Sequence, residues 1–236
     1  MTGRQQGPAG EPEPTIAVVI PAYRASATLG RALASVRRQS LLPNRILVVD
    51  DGSEEDLAAC LGPALAGIEL IRRANGGPSA ARNEGLERAG TELVAFLDAD
   101  DVWSDDALEL LRQPFLAASN PVDAVQARLV DVWPPESGLP SLSAPRRSFN
   151  VGAALFRRRV LQGIGGFDPA LRNGEDFDLW ARLRSAGARV LTLEAGVLHY
   201  VRRPLDPGFA AGSLHAERLH SLKRLLDRER DAQRSP

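Results

Sequence analysis

Short runs rich in Val, Ile and Leu recur along the first hundred residues with helix-forming stretches between them: "TIAVVI" (15–20), "RILVVDDGS" (45–53), "IELIRR" (68–73) and "ELVAFLDADD" (92–101). Strand, helix and strand alternating at this spacing need right-handed crossovers, and few folds satisfy them. The pattern predicts the α/β class, with a single Rossmann-like, mostly parallel sheet flanked by helices. The first helix is expected over 26–40, where Leu29, Leu33 and Val36 form one stripe and Ser26 or Thr28 can cap it. A weaker helix is expected over 57–67, and another over 79–90 that stops at Gly90. Ligands of such sheets sit at the carboxyl ends of the strands. Both "DDGS" and "DADD" fall there.

Beyond Asp101 the rhythm loosens. "SDDALELLRQPFLAAS" reads as a helix, "VDAVQARLVDVW" as a strand, and the Pro- and Ser-rich 134–148 as a loop. "GEDFDLWARLRSAG" is expected to be a helix, "ARVLTLEAGVLHYVRR" to close the sheet, and the amphipathic 213–230 to end the chain as a helix with Leu219, Leu222 and Leu226 in one stripe. The expected organisation is a disordered tail over 1–14, one domain over 15–212, and a C-terminal helix and tail over 213–236. A length of 236 residues with 44% apolar content suffices for one large core. The net charge of −1 carries no signature of nucleic-acid binding. Lys223 is the sole lysine and Cys60 the sole cysteine, which excludes a disulfide or a cysteine-based zinc cluster within the chain. No signal-peptide core or membrane-length apolar run occurs, so a cytosolic location is expected, with peripheral contact at the inner face of a membrane left open.

The acids at the strand ends carry the chemistry. Asp98, Asp100 and Asp101 crowd the end of a strand that should be buried, and like charges so packed need a partner. In extended chain Asp98 and Asp100 share a face. Two converging carboxylates suit a hard divalent cation, Mn²⁺ or Mg²⁺, which completes its shell with phosphate oxygens. The plainer reading is that one of these acids caps the next turn. Asp50 and Asp51 end a second strand, where a carboxylate can accept from a base N–H or a ribose hydroxyl. "IPAYRAS" offers Tyr23 to a flat base and contains no Gly-rich phosphate loop, which argues against the Rossmann dinucleotide and Walker modes.

Taken together, "VVIPAYRASATLGRALASVRRQS", "ILVVDDGSEED", "NGGPSAARNEGLERAGTELVAFLDADD", "IGGFDPAL" and "GEDFDLWARL" resemble glycosyltransferase family 2 in order and spacing over residues 15 to 200. The resemblance implies a GT-A fold, a nucleotide-diphospho-sugar donor (usually UDP-linked), a Mg²⁺ or Mn²⁺ ion, a carbohydrate or lipid-linked acceptor, and inversion at the anomeric carbon. It implies that Pro21, Ala22, Tyr23 and Asp51 frame the nucleoside with Asp50 nearby. Asn75 and Gly76 begin the segment in which Arg82 and Asn83 approach the donor. Asp98 would face ribose and metal, and Asp100 would bind the metal. Asp176 maps onto the catalytic base, with Glu175 binding or orienting the acceptor.

Several of these positions have a second reading. Arg82 either contacts the donor or pairs with Asp98 or Asp100, and Asn83 is otherwise a helix-surface residue. His199 is either a third metal ligand or a structural histidine. Arg202 and Arg203 either clamp the diphosphate or are surface charge. A sugar nucleotidylyltransferase would need a basic, Gly-rich loop that "PAYRASAT" lacks, and a non-catalytic relative would be expected to have lost acids that are all present here. The loops 134–148 and 202–212 are expected to order on donor binding.

Overall fold

The computed structural model describes residues 13–133, 139–171 and 173–202. Arg203, the segment 203–212, residues 134–138 of the expected loop, the expected C-terminal helix and most of the N-terminal tail lie outside those residues. Among the described residues nine strands form one sheet: β1 (Ile16–Ala22), β2 (Arg45–Asp50), β3 (Glu69–Arg72), β4 (Leu93–Phe96), β5 (Val102–Trp103), β6 (Ala124–Trp133), β7 (Ser141–Leu142), β8 (Ala154–Arg157) and β9 (Val190–Val201). Their order is β3-β2-β1-β4-β8-β6-β9-β5, with β7 beside β6. The first four strands in that order are mutually parallel, as the alternation predicts. β8 turns the sheet antiparallel, and β6 and β9 pair in parallel again. β9 is therefore an interior strand, with β5 at the edge.

Strand alternation divides the core in two. Ile16, Val18 and Ile20 face α1 (Leu29–Arg37), α2 (Leu57–Leu61) and α4 (Ala107–Ala117). Ala17, Val19, Val94 and Phe96 face α3 (Pro78–Arg88), α5 (Arg158–Gly163) and α6 (Glu175–Ser185). Helix α3 lies close on β1 because Gly85 has no side chain: a Cβ there would come within 2.2 Å of Val19 Cγ1. No helix among the described residues is long and apolar enough to cross a membrane.

The structure changes several local expectations. Neither Ser26 nor Thr28 caps α1, since Thr28 makes no capping side-chain bond and the Ser26 hydroxyl donates to Glu55 instead. The segment 57–67 breaks at Gly62, where Pro63 begins a 3₁₀ turn. β4 stops at Phe96, and Asp101 N–H closes a turn on the Asp98 carbonyl at 3.1 Å. Asp98 and Asp100 thus lie in a turn and not in extended chain. Part of the expected loop, 139–148, pairs with β6 through β7 and a bridge between Leu129 and Arg146.

Candidate active site

The strand order reverses between β1 and β4, and a cavity of about 520 Å³ opens there at the carboxyl ends. Pro21, Ala22 and Tyr23 come from the end of β1, Asp51 from the turn after β2, Asn75 from the loop after β3, Arg82 from α3, Asp98 and Asp100 from the turn after β4, and Glu175 from the start of α6. Residues far apart in sequence meet because parallel strands deliver all their following turns to one edge. Tyr23 is 47% exposed at the mouth of the cavity, with the Arg24 guanidinium over its ring at 5.2 Å.

Asp51 ties one wall of the cavity together. Its carboxylate accepts from the N–H groups of Gly76 (3.0 Å) and Gly77 (2.7 Å) and from the Arg73 guanidinium. Asn75 donates to the Asp51 carbonyl at 2.9 Å. Gly52 adopts φ +76°, and a Cβ there would lie 2.8 Å from Asn75 N, so the turn needs glycine twice over. Asp50 sits beside Asp51 at the end of β2. It is buried below the turn, accepts from Ser53 N–H at 2.9 Å and lies 3.7 Å from Arg72 Nε. It does not line the cavity. The sequence reading missed Arg73. Its signal is an arginine following a strand that neighbours Asp51, visible only once β2 and β3 are known to pair.

Arg82 holds the opposite wall. Its side chain is 4% exposed and reaches Asp98 at 2.7 Å, Glu175 at 3.0 Å and Asp176 at 3.5 Å. The guanidinium stands over the Phe167 ring at 5.3 Å. Burial works against its charge, but the carboxylates of Asp98, Asp176 and Glu175 outweigh it and hold the guanidinium protonated well above its ordinary range. Asn83, one residue on, does not approach the cavity. It exchanges two hydrogen bonds with the Phe167 backbone, each 2.8 Å, and so fixes the ring beneath Arg82.

Asp176 lies just behind Glu175 and accepts from Val151 N–H at 3.1 Å, while its buried Oδ1 has no hydrogen-bond donor. Burial pushes its carboxyl up to about 7; Arg82 opposes the shift, Glu175 and Asp98 add to it, and the Val151 bond opposes it. Desolvation here outweighs the field of the α6 N-terminus, which favours the ionised form. Trp180 packs below, fully buried, with Nε1–H on the Phe149 carbonyl at 2.7 Å.

Asp98 and Asp100 are half-buried and line the cavity, a hard-oxygen donor pair fitting a Mg²⁺ or Mn²⁺ that takes its other ligands from phosphate and water. His199 does not join them. On β9 it pairs with Val102; burial lowers its pKa, and the charge that opposes this comes from Asp105. No three His, Cys, Asp or Glu residues among those described are grouped to hold a metal. Asp101 accepts from Val201 N–H at 3.0 Å and so joins the turn to β9. Arg202 is also placed away from the cavity. It pairs with Asp131 at 2.8 Å and stacks on Tyr200 at 4.9 Å.

The profile of glycosyl transferase family 2 matches residues 17–163. The chain is 32% identical over 205 residues to the pre-mycofactocin glycosyltransferase of Mycobacterium tuberculosis, covering 78% of this chain and 42% of that protein. It is 33% identical over 200 residues to the succinoglycan biosynthesis protein ExoU of Rhizobium meliloti, covering 74% of this chain and 58% of that one. The chain thus spans about half the length of these curated relatives. Among solved structures, S. aureus TarS 1–349 in complex with UDP-GlcNAc superposes with a TM-score of 0.65 at 21% identity, covering 83% of this chain and 61% of that one. That likeness shows the fold, GT-A. By the family match, the chain belongs to glycosyltransferase family 2.

Proposed function

We propose that the chain transfers a sugar from a nucleotide-diphospho-sugar, UDP-linked, to a hydroxyl of a carbohydrate or lipid-linked acceptor, with inversion at the anomeric carbon. The observation that carries this reading is one buried arginine, Arg82, touching both Asp98 on the donor side and the Glu175–Asp176 pair on the acceptor side. The base would lie across Tyr23, with the Asp51 knot supporting that wall. Asp98 and Asp100 would hold a Mg²⁺ or Mn²⁺ ion, which when bound supplies positive charge to the departing diphosphate. TarS, a structural neighbour, has been solved with UDP and with UDP-GlcNAc, which supports the choice of donor.

Asp176 takes the proton of the acceptor hydroxyl as its oxygen bonds to the anomeric carbon. The bond from that carbon to the diphosphate breaks on the opposite side, and its electron pair leaves with the nucleotide. A base poised near 7 suits transfer at neutral pH, because it is basic enough to accept and still substantially ionised. Val151 N–H orients the carboxylate, and Arg82 balances the charge it gains and loses. One observation favours a second candidate for the base: Glu175 lines the cavity and Asp176 does not. The test is UDP release from a panel of UDP-sugars with carbohydrate acceptors, with NMR assignment of the new linkage. Release dependent on acceptor with a β-linked product from an α-linked donor is expected. A retained configuration, or no turnover with any donor, overturns the reading.

A further inference from the structure

A second cavity, of about 370 Å³, lies on the same sheet face as α6, lined by Gln126, Arg146, Arg147, Phe149, Arg184 and Thr192 among others. Its position relative to the base follows from the chain. Phe149 is two residues before Val151, whose N–H holds Asp176, and two residues span at most about 7 Å. The Phe149 ring meets Phe177 of α6 edge-on at 5.0 Å, and the Trp180 indole holds its carbonyl. Arg184 follows Asp176 by eight residues on α6, about 12 Å along the axis.

Among the described residues, the surroundings are short of negative charge. Asp131 is shared by Arg146 and Arg202, and Glu194 by Arg128 and Arg147. Arg184 has no carboxylate partner among the described residues; it lies over the Phe149 ring at 5.9 Å. Among the described residues, five guanidinium groups thus meet two carboxylates. Arg147 is 76% exposed and only 3.7 Å from Glu194, a loose pair that an incoming anion can replace. Planar guanidinium forks match phosphate oxygens two at a time. The Thr192 hydroxyl on the cavity wall adds a further donor.

Resting on the transferase reading above, we propose that this cavity binds a phosphate group of the acceptor, holding it about 12 Å from the hydroxyl presented to Asp176. The acceptor is then an anionic, phosphate-bearing glycan and not a neutral sugar. The site is distinct from the donor cavity, where a metal ion held by Asp98 and Asp100 would receive the diphosphate.

Calorimetry with inorganic phosphate tests the site without any donor. Saturable binding by the unaltered chain is expected, weakened about tenfold or more in Arg147→Gln/Arg184→Gln. Both arginines are exposed, so folding is not at stake. Arg159→Gln, in a separate basic cavity beside Gly90 and Glu92, is the control and should bind phosphate unchanged. No saturable binding, or equal binding by the double variant, overturns the proposal. With a donor present, a phosphorylated acceptor should show a KM at least tenfold below that of its dephosphorylated twin, and the ratio should fall toward one in the double variant. Displacement of phosphate by a soluble sugar phosphate assigns the site to the acceptor; displacement only by phosphatidylglycerol vesicles overturns that assignment. Arginine-dependent phosphate binding without turnover of any nucleotide sugar would remove the transferase reading and leave the anion site. Transfer with arginine-independent phosphate binding would do the reverse.

Discussion

Asp176 carries a proton in the folded protein over a range where an unfolded carboxyl has lost it, since burial raises its pKa to about 7. Two outcomes follow from that single side chain. As the base it must be ionised, so kcat/KM should climb as pH rises through about 7 and level off above, read from a pH–rate profile of the free enzyme. Asp176→Asn, nearly isosteric, should lower transfer by roughly 10²–10⁴-fold and leave UDP affinity in place. If instead Glu175→Gln shows that loss and Asp176→Asn does not, the base is Glu175. The same carboxyl also affects stability. A raised folded pKa stabilises at low pH, and that contribution disappears as pH rises through the folded value. Above pH 7 the ionised form therefore costs stability, and Asp176→Asn should raise Tm at pH 8, each pKa unit removed being worth about 1.4 kcal/mol. An unchanged Tm across pH 5 to 8 would mean that the ionised carboxylate is already compensated.

The helix α3 holds two contacts that no other element can replace. Gly85 lets it approach Val19, and Arg82 hangs from it into the site. Gly85→Ala must push α3 off β1, because the clash is with a buried side chain of the central strand. Overpacking of this kind costs about 1–3 kcal/mol, and about 2–4 °C of Tm is lost for each kcal/mol in a chain of this size. Since Arg82 moves with the helix, UDP-sugar turnover should fall as well; a Tm loss with unchanged turnover would separate the two. The loop 73–77 is the second dependent element. Asp51→Ala removes the acceptor for two backbone N–H groups and a guanidinium at once. Donor affinity should drop more than Tm does, as measured by calorimetry against thermal unfolding.

At the scale of the whole molecule, the proposed donor cavity is built from turns delivered by four parallel strands, while the proposed acceptor side rests on α6 and on the segment ahead of β8. Metal should join these halves functionally. Asp98 is shared between Arg82 and the cavity, so UDP should bind tightly with Mn²⁺ or Mg²⁺ and weakly with EDTA. Equal affinity in both conditions, by calorimetry, would remove the metal from the reading. Hydrogen exchange over 139–148 should slow on adding nucleotide and metal; protection indifferent to ligand would make this stretch a surface hairpin with no part in closure.

The alternation of apolar runs and helical stripes, and the acids at the strand ends, were legible in the linear sequence because both depend on local period and local composition. What they became was decided in three dimensions. Asp50 and Asp51 are adjacent, yet one is sealed below a turn and the other holds the loop that walls the cavity. Asp98, Asp100 and Asp101 look alike in sequence, but the turn sends the first two into the cavity and the third to the β9 backbone. The partner for the crowded acids is Arg82, 16 positions from Asp98 and 93 from Glu175. His199 and Arg202 follow a strand as a ligand and a clamp would, but β9 lies between β6 and β5 and carries them to Asp105 and Asp131. Charge pairing depends on distance through space, and that distance is set by the order of strands in the sheet. Periodicity specifies that a strand forms and which side chains share its face, but it is silent on which strand lies beside it.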